Sequence, residues 1–474
     1  MSKRVVRTRL LHSVAAAAVI AAGFGFLSET ASAQTLQEAL ASAYQNNPDL
    51  LSQRANLRAT DESVPQALSN WRPDVELSGD ISRSQTDLSS RTGESTKTRT
   101  PRGASIDVTQ PLFRGFRTDA AITKAEHDVR AAQQRLLATE QNILLSVVEA
   151  FTAVVRDQAV LDLSTNNEQV LRRQLEATQD RFRVGEITRT DVSQAEARLA
   201  GSVADRIQAE GNLEKSRAAY VNIVGDAPGV LTPPNTLPAL PASLSAAVAL
   251  ARSNHPDILA AEADELSALQ TVRSVRGELL PSLNLVGTAE RRFEVSADDN
   301  RQSTAQVTLN LSVPLYQKGA VYSRLRQAKQ SAGKSRIDLD SARRDVTEAV
   351  TQAWETLASA RASIRSFRAQ IQAAEVALEG VRREAQVGSR TVLDVLDAEQ
   401  ELLDARVNLV IAQRDEVVAS FELKEAIGQL TAAGLDLPVE IYDPLRHYNE
   451  VRGKWVGTSS SGEVPGSGGG DTGN

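Results

Sequence analysis

The chain has 474 residues, of which 41% are hydrophobic, 24% charged and only 4% aromatic, with no cysteine, four histidines and a formal net charge of −7. That inventory removes disulfides, thiolate metal sites and thiol nucleophiles, and leaves little imidazole for a metal centre. An acidic chain also lacks the basic face that nucleic-acid phosphates demand.

Lys3, Arg4, Arg7 and Arg9 precede an apolar run from about Val14 to Leu27, and Ala31-Ser32-Ala33 offers small residues before Gln34. This is the layout of a secretory signal over residues 1–33, and the run is shorter than the roughly 20 apolar residues of a spanning helix. Cleavage would remove four cations and one acid, leaving −10 on the exported chain.

The exported part repeats itself with a period of about 200 residues. Leu36 to Leu40 followed by Asn47-Pro48-Asp49 returns as Leu244 to Val248 followed by His255-Pro256-Asp257. Trp71-Arg72-Pro73 returns as Leu279-Leu280-Pro281, Gln110-Pro111-Leu112-Phe113 as Val313-Pro314-Leu315-Tyr316, and Val184-Gly185 as Val387-Gly388. The expected organisation is a first repeat over 34–226, a Pro-rich connector over 227–243, a second repeat over 244–430 and a C-terminal segment over 431–474, disordered from about 458.

After the first proline landmark of each repeat the hydrophobic period changes to two. Val75, Leu77 and Ile81 alternate with Asp74, Glu76, Ser78 and Asp80, and Ala305, Val307, Leu309, Leu311 and Val313 alternate with polar residues. The pattern predicts β-hairpins over 74–113 and 282–315, with polar loops at about 83–102 and 291–303. Four strands leave open edges, which hydrocarbon forbids, so a membrane barrel of at least eight strands would need two or more copies.

Helical periodicity fills the rest. Two stretches free of proline, about 118–184 and 322–387, each predict a helix roughly 100 Å long. Val129, Leu136, Ile143, Val147, Phe151 and Val154 recur at coiled-coil seam spacing. Each long helix turns at a Val-Gly corner, where Gly185 and Gly388 suit the positive φ of a helix end, and a second helix returns to Gly225 or Gly428. The helical hairpins thus span 118–225 and 320–428. Thr188 before Asp191 and Thr391 before Asp394 predict capping boxes for the returning helices. Asp394, Asp397, Glu401 and Asp404 form an acidic stripe beside an apolar seam read as Leu393, Leu396, Leu403 and Val407, and facing a lumen they would crowd into carboxylate rings with raised pKa values.

These landmarks, and above all the run Val387-Gly388-Ser389-Arg390-Thr391-Val392-Leu393-Asp394-Val395-Leu396-Asp397-Ala398, resemble the TolC-like outer-membrane efflux and secretion channels over about Leu36 to Leu430. The resemblance implies a mainly α protein with a β-barrel part: a homotrimer whose 12-stranded outer-membrane barrel continues into a periplasmic helical tube closed by an iris. It implies partners as well, a periplasmic adaptor (membrane fusion protein) and an inner-membrane ABC or RND transporter. Arg390 matches the family's gating arginine, Asp191 and Thr190 its partners, and Asp394 and Asp397 the entrance carboxylate rings. Ala385 departs from the family pattern, standing where a tyrosine helps latch the iris.

A structural periplasmic coiled-coil or tethering protein is the alternative reading; no nucleophile elbow, histidine pairing or metal motif supports an enzyme, a cofactor or a metal site. His127, His255 and His447 are expected to be solvated or to cap helices. Trp71, Phe113, Phe116 and Tyr316 fall at helix–strand junctions and fit an interfacial aromatic belt, and Gly115 and Gly319 predict sharp bends at the strand exits.

Overall fold

The computed structural model describes residues 34–234, 236–295 and 300–459. The expected signal segment lies outside these residues, as does the expected disordered tail beyond residue 459.

The first repeat opens with three short helices, α1 (Leu36–Asn46), α2 (Pro48–Asp61) and α3 (Ser63–Ser69). Strands β1 (Asp74–Ile81), β2 (Ser84–Ser90), β3 (Gly93–Arg99) and β4 (Arg102–Phe113) follow, then helix α4 (Arg117–Arg183) and its return α5 (Arg189–Val224). The second repeat runs α6 (Leu244–Asn254), α7 (Pro256–Gly277), β5 (Ser282–Phe293), β6 (Arg301–Ser312), α8 (Ala320–Gln386) and α9 (Val392–Ala426), and α10 (Leu445–Val451) is the last element among the described residues. The prolines explain the matching helix starts. Asn47 caps α2 and His255 caps α7 through side-chain acceptors, each with proline at the first helical position where a missing N–H costs nothing.

The two predicted hairpins do not stand apart. They join through β4 and β5 into one antiparallel sheet of order β1-β4-β5-β6. Register puts Val75 opposite Val108, Leu77 opposite Ile106, Gly287 opposite Val307 and Leu285 opposite Leu309, so a single face is apolar across all four strands. That face is open: Leu77 is 75% exposed and Val307 76%. The other face is polar, with Thr288 donating to Asp107 at 2.7 Å and the Ser78 and Ser105 hydroxyls 2.8 Å apart. The expected loop at 83–102 is instead largely a ribbon, β2 paired with β3 from Ser84↔Arg99 to Ser90↔Gly93. Both of its faces are polar and exposed, so hydrophobic period carried no trace of it; β-branched threonines and the backbone ladder form it without a core.

Helices α4 and α8 each have 67 residues, a rise of about 100 Å. The predicted α4 seam is real: Val129, Leu136, Ile143, Val147, Phe151 and Val154 are all buried. Phe151 meets Tyr220 of α5 at 6.5 Å between ring centroids, inside a core that also takes in α1, α2 and the end of α9. Salt links tie neighbours along the rods, with Arg206 of α5 reaching buried Glu168 of α4 at 2.6 Å and Arg382 of α8 reaching buried Glu399 of α9 at 2.8 Å. No helix among the described residues is long and apolar enough to cross a membrane.

Beyond Leu430 the chain keeps a defined path that periodicity did not announce. Buried Glu140 accepts from the Ala432 N–H at 2.7 Å, the Tyr442 N–H donates to the Tyr44 hydroxyl at 3.0 Å, and Arg452 pairs with Glu126 at 3.0 Å. His447 is neither solvated nor a cap, since its Nδ1 lies 3.1 Å from the fully buried Asp61 carboxylate. His255 is the cap expected of it, accepting from the Asp257 N–H at 3.2 Å.

The strand exits show the bends foreseen at Gly115 and Gly319. Each exit places two successive residues in the left-handed region, Gly115 and Phe116 in one repeat and Lys318 and Gly319 in the other. At the first exit space is also decisive, because a Cβ on Gly115 would sit 2.3 Å from the Gly277 carbonyl oxygen, and one on Gly277 2.3 Å from that of Gly115. Strand exit and helix end therefore cross backbone to backbone. Gly277→Ala is expected to lower stability by about 1–3 kcal/mol, read as a drop in the thermal unfolding midpoint of the purified protein, whereas Gly211→Ala, with open space around it, should leave the midpoint unchanged or slightly raised.

Candidate functional site

Two corners lie at the ends of the helical hairpins, and the same local chemistry builds both. At the first, Gly185 (φ 83°) ends α4 and its N–H donates to the Phe182 carbonyl at 2.9 Å. Thr188 then caps α5: its N–H and hydroxyl donate to Asp191 Oδ2 at 2.9 and 2.8 Å, while the Asp191 N–H donates back to the threonine oxygen. At the second, Gly388 (φ 79°) ends α8, and Thr391 donates to Asp394 Oδ2 from N–H and hydroxyl at 2.8 and 2.7 Å. Both capping boxes follow from short polar side chains placed to meet orphan N–H groups. Side chains at Gly185 and Gly388 would meet open space, so φ alone calls for glycine there.

The corners differ in charge. In the first, Glu186 pairs with Arg181 at 3.0 Å. In the second, Arg390 reaches back to Glu384 at 3.0 Å and forward to Asp394 at 3.9 Å. Within one chain, then, Arg390 engages Glu384 and Asp394, and Asp191 engages Thr188; Thr190 is exposed in the first turn of α5. The Glu384 hydrogen bond and charge raise the Arg390 pKa.

The acidic stripe of α9 is less uniform than its spacing suggested. Asp397 is bonded to Arg198 of α5, a cation from the other repeat. Within one chain the Thr391 N–H and hydroxyl, with Arg390 contributing, lower the Asp394 pKa. The buried seam of α9 is also rotated from the expected one: Val392, Val395, Leu396, Glu399, Leu402 and Ala405 are buried, whereas Leu393 is exposed. Glu399, missed in the sequence because it looks like one more acid of the stripe, faces inward to Arg382. Ala385 packs into that seam with Ala374, Leu378, Val395 and Leu402, so it contributes bulk to the core and no polar group to a latch. Leu171, Ala195, Val392 and Leu396 then hold the two hairpins together behind their tips.

At the opposite end of the helices the junction aromatics gather. Phe113 and Phe116 meet edge to face at 5.2 Å, and Trp71, Phe116 and Tyr316 are exposed.

A four-stranded sheet with one open apolar face and, among the described residues, two edges without a partner strand, standing on helical hairpins about 100 Å tall, is the architecture of an outer-membrane channel chain. The model of the family described as "Outer membrane efflux protein" matches residues 15–226 and 247–429, and the chain belongs to that family. It is 37% identical over 443 residues to the outer membrane efflux protein BepC of Brucella suis, covering 93% of this chain and 96% of that protein. It is 29% identical over 423 residues to the outer membrane protein TolC of Vibrio cholerae, covering 87% and 94%. Its fold superposes on the Campylobacter jejuni CmeC outer membrane channel with a TM-score of 0.76, at 16% identity over 88% of this chain and 89% of that one. The tethering-protein reading falls away, and the chain is an outer-membrane export channel with a helical periplasmic extension.

The capping carboxylate makes the second corner pH-sensitive. A lowered folded-state pKa at Asp394 means stability that is present above the ordinary carboxylate range and lost as pH falls through the folded value. Amide exchange in the first turn of α9 is expected to speed up selectively below about pH 4, and Asp394→Asn should show that faster exchange already at neutral pH. Equal exchange in the two proteins at neutral pH would remove the capping role.

Proposed function

We propose that three copies close the sheet into a 12-stranded barrel, and that the paired corners form an iris at the far end of the helical tube. The observation that carries this reading is the sheet itself. Its edges β1 and β6 have no partner strand among the described residues, and the apolar face holding Val75, Leu77, Ile81 and Leu311 is open. In hydrocarbon each unpaired backbone group costs several kcal/mol, which only edge-to-edge pairing with sister copies removes.

In this reading Arg390 and Asp191 form the gate pair between hairpins, supported by Thr190, with Asp394 and Asp397 as carboxylate rings at the entrance. Glu384 competes for Arg390 inside each chain at 3.0 Å, so opening is an exchange of one carboxylate partner for another. Such an exposed exchange is worth about 0–1 kcal/mol per pair, multiplied by the number of subunits. The helical end receives a periplasmic adaptor and an inner-membrane transporter of the ABC or RND type, and the transporter selects the cargo, a secreted protein or small molecules.

Arg390→Ala and Asp191→Ala are expected to raise single-channel conductance in planar bilayers, and Glu384→Gln to lower it by freeing Arg390 for the gate. Unchanged conductance in the first two variants removes the gate assignment. Deletion of the gene, scored in parallel for loss of a secreted protein and for sensitivity to toxic small molecules, decides the cargo class.

A further inference from the structure

The level where strands hand over to helices carries a charge anomaly that neither the gate nor barrel closure explains. The chain as a whole is acidic, yet the segments 71–74, 111–120, 273–280, 313–324 and 452–456 together hold nine cations against three acids. Contacts bring these segments to one level: Gln110 donates to the Trp71 carbonyl at 2.9 Å, Gln317 donates to the Glu278 carbonyl at 2.9 Å, and Arg72 donates to the Lys454 carbonyl at 2.8 Å.

Along the rods arginines are habitually matched with carboxylates, as in Arg206 with Glu168 or Arg361 with Glu416. At the junction Arg324 pairs with Glu278 and Arg452 with Glu126, but the arginines around the Gly115–Gly277 crossing turn to neutral partners. Arg114 donates to the Asn70 amide oxygen, Arg117 to the Arg114 carbonyl at 3.0 Å, and Arg273 to the Gln270 amide oxygen at 3.3 Å. The crossing of Gly115 and Gly277 also seats the Arg117 stem, since a Cβ on Gly277 would fall 2.6 Å from Arg117 Cγ. Burial and the neighbouring Arg117 charge lower the Arg114 pKa, as expected where cations lack counter-charge.

Between the end of α7 and the start of α4 lies a cleft of about 460 Å³ lined by Arg273, Arg276, Phe116 and Leu280, with Asp119 as its acid. Arg273, Arg276, Phe116 and Leu280 are all exposed there. Two guanidinium groups beside an aromatic ring and a leucine, at the level where the apolar sheet face ends, match a phosphate attached to acyl chains. Basic pockets just outside the hydrocarbon bind anionic headgroups for the same reason.

We propose that this cleft is a binding site for an anionic glycerophospholipid of the periplasm-facing leaflet, with Arg273 and Arg276 on the phosphate and Phe116 and Leu280 against the upper acyl chain. The bound lipid supplies the negative charge that the junction lacks and fixes the height at which the barrel sits in the membrane.

The test uses the assembled channel in nanodiscs of phosphatidylethanolamine alone or with added phosphatidylglycerol, with retained lipid counted by native mass spectrometry. Wild type is expected to retain phosphatidylglycerol in preference to phosphatidylethanolamine, and the double variant Arg273→Gln/Arg276→Gln to lose at least about fivefold of that preference, with oligomer size unchanged. Should the double variant fail to assemble, Phe116→Ala, which keeps every charge, is expected to shorten lipid residence by about fivefold or more. Equal retention of the two lipids by wild type overturns the proposal, as does full retention by whichever variant assembles. Displacement of phosphatidylglycerol by inorganic phosphate at modest concentration would mean a free-anion site and also overturn it. So would a change in the ion selectivity of the pore with lipid retention intact, which would put the arginines on the conduit.

Discussion

Unpaired strand edges are the constraint on which the rest of the molecule depends. Backbone N–H and C=O groups in hydrocarbon must be satisfied by protein, and a sheet of four strands cannot do this for its own outer edges. The requirement explains why one face is apolar from β1 through β6, with Val75, Leu77, Ile106, Val108, Leu309 and Leu311 in register. The ribbon of β2 and β3 is a separate two-stranded sheet and carries no such apolar face.

The helices solve a different problem, that of keeping rods about 100 Å long side by side with few large side chains. The seams are mostly alanine, valine and leucine, and two of the carboxylates drawn into them are paired, Glu168 with Arg172 and Arg206 and Glu399 with Arg382. A buried carboxylate left unpaired would cost several kcal/mol, so these pairs set the register between α4 and α5 and between α8 and α9. Duplication supplied two copies of the hairpin, and divergence then gave the corners different charges. Glu186 with Arg181 in one and Arg390 with Glu384 in the other make the repeats alike in backbone and unlike in the side chains they offer one another.

Much of this was legible in the residues, for identifiable reasons. Period two at 305–313 and seam spacing from Val129 to Val154 survive because each reports a surface with two unlike sides. Proline and glycine landmarks survive because they act through their own backbone, as the caps at Asn47 and His255 and the positive φ of Gly185 and Gly388 show. The β2–β3 ribbon and the path after Leu430 were illegible because neither has an apolar period. Glu399 drew no notice in the sequence because nothing local marks a buried acid until its partner Arg382 on the neighbouring helix is known.

The sequence by itself determined that this is an exported, duplicated chain of amphipathic strands and very long helices with capped corners, since strands, helices and caps depend on residues close in the chain and duplication shows as the same order of landmarks written twice. Tertiary structure alone decided that β4 and β5 fuse the two hairpins into one sheet, that Asp397 meets Arg198 and His447 meets Asp61, and that Gly115 and Gly277 cross in contact. Each of those is a meeting of residues more than a hundred positions apart, set by how the rods pack, and local periodicity holds no record of it.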